Sequence, residues 1–470
     1  MLLSHCAAEL GTQPAHRTDS RSKAASSWGR SARRASTYSK MRDPRYCPLV
    51  KPVNPQGKAA HPAVSSMPPG WPEDPRLVLD VARLRQTISI QDDVGAESHA
   101  AVLFERARLS SSTSLRFLSD KLVVTANFDR QDLRLYKLQW AQGRAHLLAK
   151  LGSSFGGEPQ STDLLDFDGH SRLLGSNLFV GTQTLYEVNV TRGTLAHAQD
   201  IDSFSTRGRR GGQRCHSTRF VPHPNRHIVA SSGVAPLDRR GSGYRVVFYD
   251  AARRLPLLTM NATGRTKDPF QWDGPWHAQD LQFFTPRKTQ HPGQAGEPSV
   301  RMHMLVLYTT SRVQSAKAVA VNVSHQCAAT WVRYATRVAH YVIRQEGALW
   351  DYEEISTFDI PGKSHPDSIA IHDELVFVSD QMNDCIHVLR LVLQPPKVAR
   401  DSSHDAIGMT QSSFRLVGRL TGFFMPHGLH IRESMDAPGS LLLGCSNYGD
   451  SSYALMVLPS SFLESCRRAW

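Results

Sequence analysis

A five-residue motif that occurs six times is the feature that most constrains the fold of this sequence. Each copy begins with a polar residue and leads into a run of alternating apolar residues. The copies are TSLRF from Thr113, DLLDF from Asp163, HSTRF from His216, QDLQF from Gln279, DSIAI from Asp367 and HGLHI from His427. They are spaced 50, 53, 63, 88 and 60 residues apart. Repetition at such periods is typical of repeat architectures, in which each unit is one supersecondary element.

Each motif is followed by further short alternating runs, separated by Gly, Pro, Asn, Asp and Ser. In the fifth unit these runs are ELVFVSDQ from Glu374 and CIHVLRL from Cys385, joined by a tight turn. Alternation with a period of two predicts β-strands, and many short strands predict a sandwich, barrel or propeller. Units of four antiparallel strands favour the propeller. We therefore predict an all-β fold, a six-bladed β-propeller, over residues 76–470.

The two ends of this region predict how the ring closes. The last unit has no clear fourth strand, whereas the run HAAVLFERARL, residues 99–109, precedes the first motif and has no blade of its own. We expect this N-terminal strand to complete the last blade and remove an open sheet edge. The longest interval, 88 residues, separates the motifs at Gln279 and Asp367. We predict the third strand of this unit at AVAVNV, residues 318–323. Residues 324–350 are then either an insertion or a degenerate seventh blade.

Residues 1–75 differ in composition from the rest of the chain. They carry 11 Lys or Arg against 5 Asp or Glu and are rich in Ser, Pro and Gly. This basic segment is expected to be disordered because it has too little apolar surface to bury. Its composition also fits an organelle transit peptide, and its charge fits nucleic acid as a partner.

Two segments resemble known propeller repeats. The run VFVSDQMNDCIHVL, residues 376–389, resembles an NHL-type repeat, with Ser379, Asp380 and Asn383 at matching positions and Cys385 where the family has arginine. The runs LVVTANFDRQDLRLYKL and LLLGCSNYGDSSYALMVL resemble epilepsy-associated (EAR) repeats, which are normally seven-bladed and extracellular. Neither resemblance covers the chain, but both imply a propeller.

The first residue of each motif is expected to point toward the central channel at one mouth, because the first strand of a blade lines that channel. The six residues are Thr113, Asp163, His216, Gln279, Asp367 and His427. Carboxylates and imidazoles are ligands for Ca²⁺ or Zn²⁺, so Asp163, His216, Asp367 and His427 are candidate metal ligands. Without metal, His216 or His427 is the candidate general base. Alternatively, all six only hydrogen-bond the neighbouring blade.

A second candidate ligand site lies in the loop TRGRRGGQR, residues 206–214. Arg209 and Arg210 precede the His216 strand and so lie near the proposed mouth. Arginines in a glycine-rich loop fit a phosphate group or an RNA backbone.

Two functions of different class remain open, because propellers host both binding proteins and enzymes. The first is a binding platform for a protein or anionic partner, and the second is a metal-dependent hydrolase or lyase at the channel mouth. Six-bladed lactonases and metal-dependent lyases resemble this layout, but their ligand sets are not matched here, which favours the platform.

The remaining sequence features concern the location of the protein. No run of about 18 apolar residues occurs, so no membrane span is expected. The 7 cysteines are dispersed and include no CxxC pair, which favours reduced thiols in an intracellular compartment over secretion.

Overall fold

The computed structural model describes most of the repeat region and three short segments that precede it. The described residues are 78–80, 89–91, 97–99, 112–127, 131–140, 144–152, 159–167, 170–177, 182–189, 191–201, 214–234, 245–261, 276–286, 300–310, 336–362, 364–394, 411–435, 439–448, 452–458 and 460–469. The expectations for residues 1–75 therefore concern residues outside these ranges.

The described residues form 26 strands and one C-terminal helix. The N-terminal strands are β1 (Val78–Asp80), β2 (Ser89–Gln91) and β3 (Glu97–His99). Blade 1 contains β4 (Ser112–Ser119), β5 (Leu122–Asn127), β6 (Asp132–Gln139) and β7 (Arg144–Gly152). Blade 2 contains β8 (Pro159–Phe167), β9 (His170–Asn177), β10 (Thr182–Asn189) and β11 (Thr194–Ile201). Blade 3 contains β12 (Arg214–Phe220), β13 (Ile228–Val234), β14 (Arg245–Asp250) and β15 (Leu255–Asn261).

The other three blades follow in chain order. Blade 4 contains β16 (Trp276–Phe284), β17 (Val300–Thr310), β18 (Thr336–Glu346) and β19 (Leu349–Ile360). Blade 5 contains β20 (Pro366–His372), β21 (Leu375–Asp380), β22 (Cys385–Gln394) and β23 (Gln411–Thr421). Blade 6 contains β24 (Pro426–Glu433), β25 (Leu441–Asn447) and β26 (Ser452–Leu458), and the helix α1 (Ser460–Arg468) follows it.

The six sheets form a closed ring around a central axis. Within each blade consecutive strands pair antiparallel, as expected from the alternating runs and tight turns. The first strands of the blades contact one another in order, from β4 through β8, β12, β16 and β20 to β24, and β24 contacts β4 again. The fold is therefore a six-bladed β-propeller, as the repeats predict.

A separate hydrophobic cluster holds each pair of neighbouring blades together. Phe117 of blade 1 packs with Leu442 of blade 6, and Phe377 of blade 5 packs with Leu443 of blade 6. The remaining four interfaces have clusters of the same kind. Successive residues of a second strand enter different clusters, since Phe377 joins the cluster with blade 6 and Val378 the cluster with blade 4. Both faces of each blade are therefore buried, so successive apolar residues of a second strand contribute to two different interfaces.

The N-terminal strands extend two of the blades at their outer edges. β1 pairs parallel with β23 of blade 5, and β2 pairs parallel with β7 of blade 1 and antiparallel with β3. His99, the first residue of the predicted closing strand, belongs to β3, whereas residues 100–109 lie outside the described ranges. The described part of blade 6 has three strands.

The long fourth interval belongs to blade 4. β18 pairs with β17 along nearly its whole length, and β19 follows after a tight turn. The third strand of this blade is therefore β18, and the prediction of that strand at residues 318–323 was wrong. Residues 336–350 are part of blade 4 rather than an insertion or a seventh blade, and residues 324–335 are not described.

Candidate functional site

A β-bulge near the predicted channel residue marks the first strand of every blade. The pairing of first and second strands shifts register between Ser112 and Ser114, Pro159 and Thr162, Cys215 and Ser217, Ala278 and Asp280, Pro366 and Ile369, and Pro426 and Leu429. Bulges leave an extra residue unpaired and re-aim its side chain. Thr113, His216, Gln279, Asp367 and His427 are all such extra residues. In blade 2 the bulge lies at residues 160–161, so Asp163 comes two residues after it.

Three of the predicted residues meet across the propeller axis. The Nε2 atoms of His216 and His427 both lie 3.5 Å from Oδ1 of Asp367. The two imidazole rings are nearly parallel, with their centroids 6.4 Å apart. His216 is in blade 3 and Asp367 in blade 5, so their contact passes over blade 4 and crosses the channel. We call His216, Asp367 and His427 the His–Asp–His cluster.

Two further side chains hold the other oxygen of Asp367. Gln381 donates a hydrogen bond from Nε2 to Oδ2, and Nδ1 of His365 lies 3.5 Å from the same oxygen. Burial alone would raise the pKa of Asp367, but His427, His216 and His365 together outweigh it and lower the pKa to about 2. The carboxyl group is therefore ionised at neutral pH.

The protonation of the two imidazoles follows from their surroundings. Nδ1 of His216 lies 2.6 Å from the carbonyl oxygen of Gln279, which can only accept, so Nδ1 carries a proton. Burial lowers the pKa of His427 to about 4, although Asp367 opposes this effect. His427 is therefore neutral at neutral pH.

The serines of the second strands fix the backbone of the motif residues. The hydroxyl groups of Ser176, Ser232 and Ser379 donate to the carbonyl oxygens of His216, Gln279 and His427, in each case in the next blade. These bonds lock the bulges to the neighbouring blade, so the cluster stands on a rigid backbone. The serines are visible in the sequence as a polar residue near the end of each of these second strands, but our sequence reasoning did not use them.

The structure places Asp163 elsewhere. Its Oδ2 accepts the backbone N–H of Phe220 at 2.8 Å, and its Oδ1 lies 3.3 Å from Nη2 of Arg116. Asp163 thus joins blades 1, 2 and 3 and is not a member of the His–Asp–His cluster. Thr113 donates to the carbonyl oxygen of Ala126 within its own blade, and Gln279 contributes its backbone carbonyl to the cluster.

Sequence reasoning missed Asp280, the residue after Gln279. Asp280 is almost fully buried and accepts hydrogen bonds from Arg219 at 2.7 and 2.9 Å. It also accepts from the hydroxyl groups of Ser217 and Ser368 and from the N–H of Ile369. One carboxylate therefore ties blades 3, 4 and 5 together. The available signal was an acid at the second motif position, where four other copies have serine or glycine.

A second group of potential metal ligands lies in the hairpin of blade 5. Donor atoms of Asp380, Cys385 and His387 all lie within 4.8 Å of one another. Asp380 already accepts hydrogen bonds from His387 at 2.8 Å, from the side chain of Asn383 at 2.6 Å and from three backbone N–H groups. Burial raises the pKa of Cys385 well above its usual range, so the thiol stays protonated. We interpret this group as a hydrogen-bond network that stabilises the turn.

Arg209 and Arg210 lie outside the described residues, so the loop site stays a prediction. Within the described ranges, no helix is long and apolar enough to span a membrane.

Comparisons with known proteins yield only distant structural likenesses. No protein-family model matches the chain, and no curated protein sequence matches it. Among solved structures, it is similar to a protein from Lactobacillus plantarum, with 11% identity, a TM-score of 0.37 and coverage of 73% of this chain and 83% of that one. A putative 6-phosphogluconolactonase from Bacteroides fragilis has 10% identity, a TM-score of 0.34 and coverage of 73% and 82%. A putative oxidoreductase (glucose dehydrogenase) from Thermus thermophilus has 14% identity, a TM-score of 0.38 and coverage of 74% and 97%. Such distant likenesses carry no argument about activity.

Proposed function

We propose that this propeller is a binding platform that holds a divalent metal ion at the His–Asp–His cluster and uses it to bind an anionic partner. The fold supports an interaction platform, since propellers present a channel mouth and rim loops to their ligands. The proposal assigns the binding site to the end of the channel where blades 3, 5 and 6 meet.

The orientation of His216 is the observation that carries the proposal. The hydrogen bond from Nδ1 to the carbonyl oxygen of Gln279 turns Nε2 of His216 toward an ionised carboxylate oxygen 3.5 Å away. That separation exceeds a direct hydrogen bond, which is about 2.7–3.2 Å. It is close to the distance of about 3.4 Å between two ligands of a tetrahedral zinc ion. Metal-bound histidines also commonly donate their other N–H to a backbone carbonyl, as His216 does.

The rest of the cluster supports the same assignment. His427 lies at the same distance from the same oxygen and is neutral, as a metal ligand must be. Two imidazoles favour Zn²⁺ over Ca²⁺. Among the described residues, the three donor atoms that all lie within 4.8 Å of one another belong to Asp380, Cys385 and His387. The donor atoms of the His–Asp–His cluster are more widely spaced, so metal binding there requires the two imidazoles to move closer together. Three protein ligands leave a fourth position for an anionic group of the partner.

Zinc titration of the full chain by isothermal calorimetry tests the proposal. We expect one equivalent of Zn²⁺ to bind, and binding to be lost in His216→Ala and His427→Ala. His372→Ala is the matched control, because His372 also lies 3.5 Å from a carboxylate, that of Asp373, on an ordinary hairpin. A chain that binds no stoichiometric metal, or that retains it in both cluster variants, contradicts the proposal.

The second candidate is a metal-dependent hydrolase, of the lactonase kind, or a lyase at the same cluster. Burial favours it, because the three side chains are only 5–11% exposed and a metal-bound water in such surroundings is a strong nucleophile. Hydrolysis of a panel of lactones by the zinc-loaded protein, measured in a pH-stat as acid release, separates the two candidates. Turnover that depends on zinc and on His216 would favour the enzyme, whereas anion binding without turnover favours the platform.

A further inference from the structure

A second set of polar side chains lies along the channel, at the fourth position of the motifs. Arg116, Arg219, Gln282 and His430 occupy this position in TSLRF, HSTRF, QDLQF and HGLHI. We call these four residues the arginine level. Arg116 and Arg219 are only 5% and 2% exposed, which is rare for arginine.

The charges of the arginine level interact across the channel. Arg116 of blade 1 interacts electrostatically with Arg219 of blade 3 and with Asp280 of blade 4, which lie beyond blade 2 around the ring. Arg219 is compensated by Asp280 through two contacts. Among the described residues, Arg116 pairs with Asp163 through one contact at 3.3 Å, and burial lowers its pKa to about 10 although Asp163 and Asp280 oppose this effect. Its guanidinium charge is therefore the less well compensated of the two.

The Arg116 guanidinium is held by two of its three nitrogens. Nε and Nη2 both donate to the carbonyl oxygen of Thr162, at 3.1 and 2.6 Å. Within the described ranges Nη1 has no hydrogen-bond partner. An arginine fixed by two of its nitrogens, with the third available, is a preorganised donor.

His430 presents a second donor beside it. Its Nδ1 accepts the N–H of Phe117, the residue after Arg116, at 2.9 Å. Because an accepting Nδ1 has no proton, the neutral ring carries its proton on Nε2. Burial and the guanidinium groups of Arg116, Arg432 and Arg219 lower the pKa of His430 well below its usual range. The charged groups that act on His430 are therefore all cations, yet part of its surface remains accessible, as expected for a residue that lines a channel.

We propose that the arginine level binds a small oxyanion of the phosphate or carboxylate class, through Nη1 of Arg116 and Nε2–H of His430 and in the field of Arg219. The site is distinct from the His–Asp–His cluster and needs no metal. An anion there adds to the charge compensation that Asp163 and Asp280 give Arg116.

Calorimetric titration with inorganic phosphate and with acetate tests this site. The full chain is kept in EDTA at neutral pH and constant ionic strength, so that failure of the metal proposal does not affect the result. We expect saturable one-to-one binding of at least one of the two anions, and the preferred anion identifies the class. Arg116→Gln should weaken binding by at least about tenfold. Arg337→Gln, which removes an arginine paired on the outside of blade 4, should leave it unchanged.

Two substitutions of His430 separate binding from folding. His430→Asn keeps an acceptor for the N–H of Phe117 but loses the Nε2–H donor, so we expect weaker anion binding at an unchanged melting temperature. His430→Gln keeps a donor at the distal position but loses the acceptor for the N–H of Phe117. We therefore expect unchanged anion binding and a lower melting temperature. The proposal is overturned if neither anion binds the unmodified chain at millimolar concentration. It is also overturned if Arg337→Gln weakens binding as much as Arg116→Gln.

Discussion

Replacing Asp280 with Asn should destabilise the propeller far more than the same change at an exposed ion pair. Asp280 receives two contacts from Arg219, at 2.7 and 2.9 Å, and both side chains are only 3% exposed. Removing the carboxylate charge leaves the guanidinium buried without its counter-charge. Breaking a buried pair in this way typically costs about 3–5 kcal/mol. Because an asparagine retains some of the hydrogen bonds, we expect a loss near the lower value, about 3 kcal/mol.

Asp359→Asn is the matched control. Asp359 receives two hydrogen bonds from Arg337, at 2.6 and 2.9 Å, but its side chain is 58% exposed. Exposed pairs are worth about 0–1 kcal/mol, so this variant should stay within about 1 kcal/mol of the unmodified chain. The contact geometry is similar in the two pairs, and burial is the main difference between them.

Equilibrium unfolding in urea, followed by circular dichroism and tryptophan fluorescence, measures both variants. The shift of the midpoint multiplied by a common slope gives the change in the free energy of unfolding. If Asp280→Asn destabilises the chain no more than Asp359→Asn, then Asp280 is not the compensating charge of Arg219. The account of how blades 3, 4 and 5 are joined would then fail.

Two further predictions concern ring closure and pH. Gly428→Ala places a methyl group 2.5 Å from the carbonyl oxygen of Thr113 in blade 1. It should lower the free energy of unfolding in urea by about 1–3 kcal/mol. Gly152→Ala, which has open space around it, should leave the free energy of unfolding unchanged. Burial lowers the pKa of His303 to about 4 and that of His340 to about 3, so both are neutral when folded but take up protons in the unfolded chain below about pH 6.5. Stability should therefore be full above that pH and should fall by up to about 2 kcal/mol per imidazole between pH 6.5 and 5. His340→Gln should flatten this fall, and an unchanged pH profile would show that the pair is not buried and neutral.

The blade count could be predicted from the sequence because the blades repeat a buried pattern. The six motifs all lie in the first strands of the blades, which are β4, β8, β12, β16, β20 and β24. The alternating runs of blade 5 are likewise β21 and β22. Such segments are predictable because local alternation and tertiary burial agree in them.

The error at Asp163 has a physical cause. A strand buries alternate residues on one face, so shifting the alignment of a motif by two residues leaves the apolar pattern in phase. DLLDF therefore fits the motif although the bulge of blade 2 ends two residues before Asp163. Only strand pairing reveals the position of a bulge, and a single sequence does not record pairing.

The remaining differences come from contacts that are distant in sequence. β18 follows β17 only after 25 residues that are not described, so proximity along the chain favoured the wrong run. α1 was not predicted, because its apolar residues Phe462, Leu463 and Cys466 match a helical face only once the core of blades 5 and 6 is there to cover them. Asp280 and His430 likewise gain their roles from partners in other blades.

Zinc anomalous scattering from crystals soaked in Zn²⁺ tests the central assignment most directly. We predict one strong peak bonded to Nε2 of His216, Nε2 of His427 and Oδ1 of Asp367, with the two imidazoles closer together than in the metal-free protein. A peak at Asp380, Cys385 and His387 instead, or no peak on the propeller axis, would contradict the assignment.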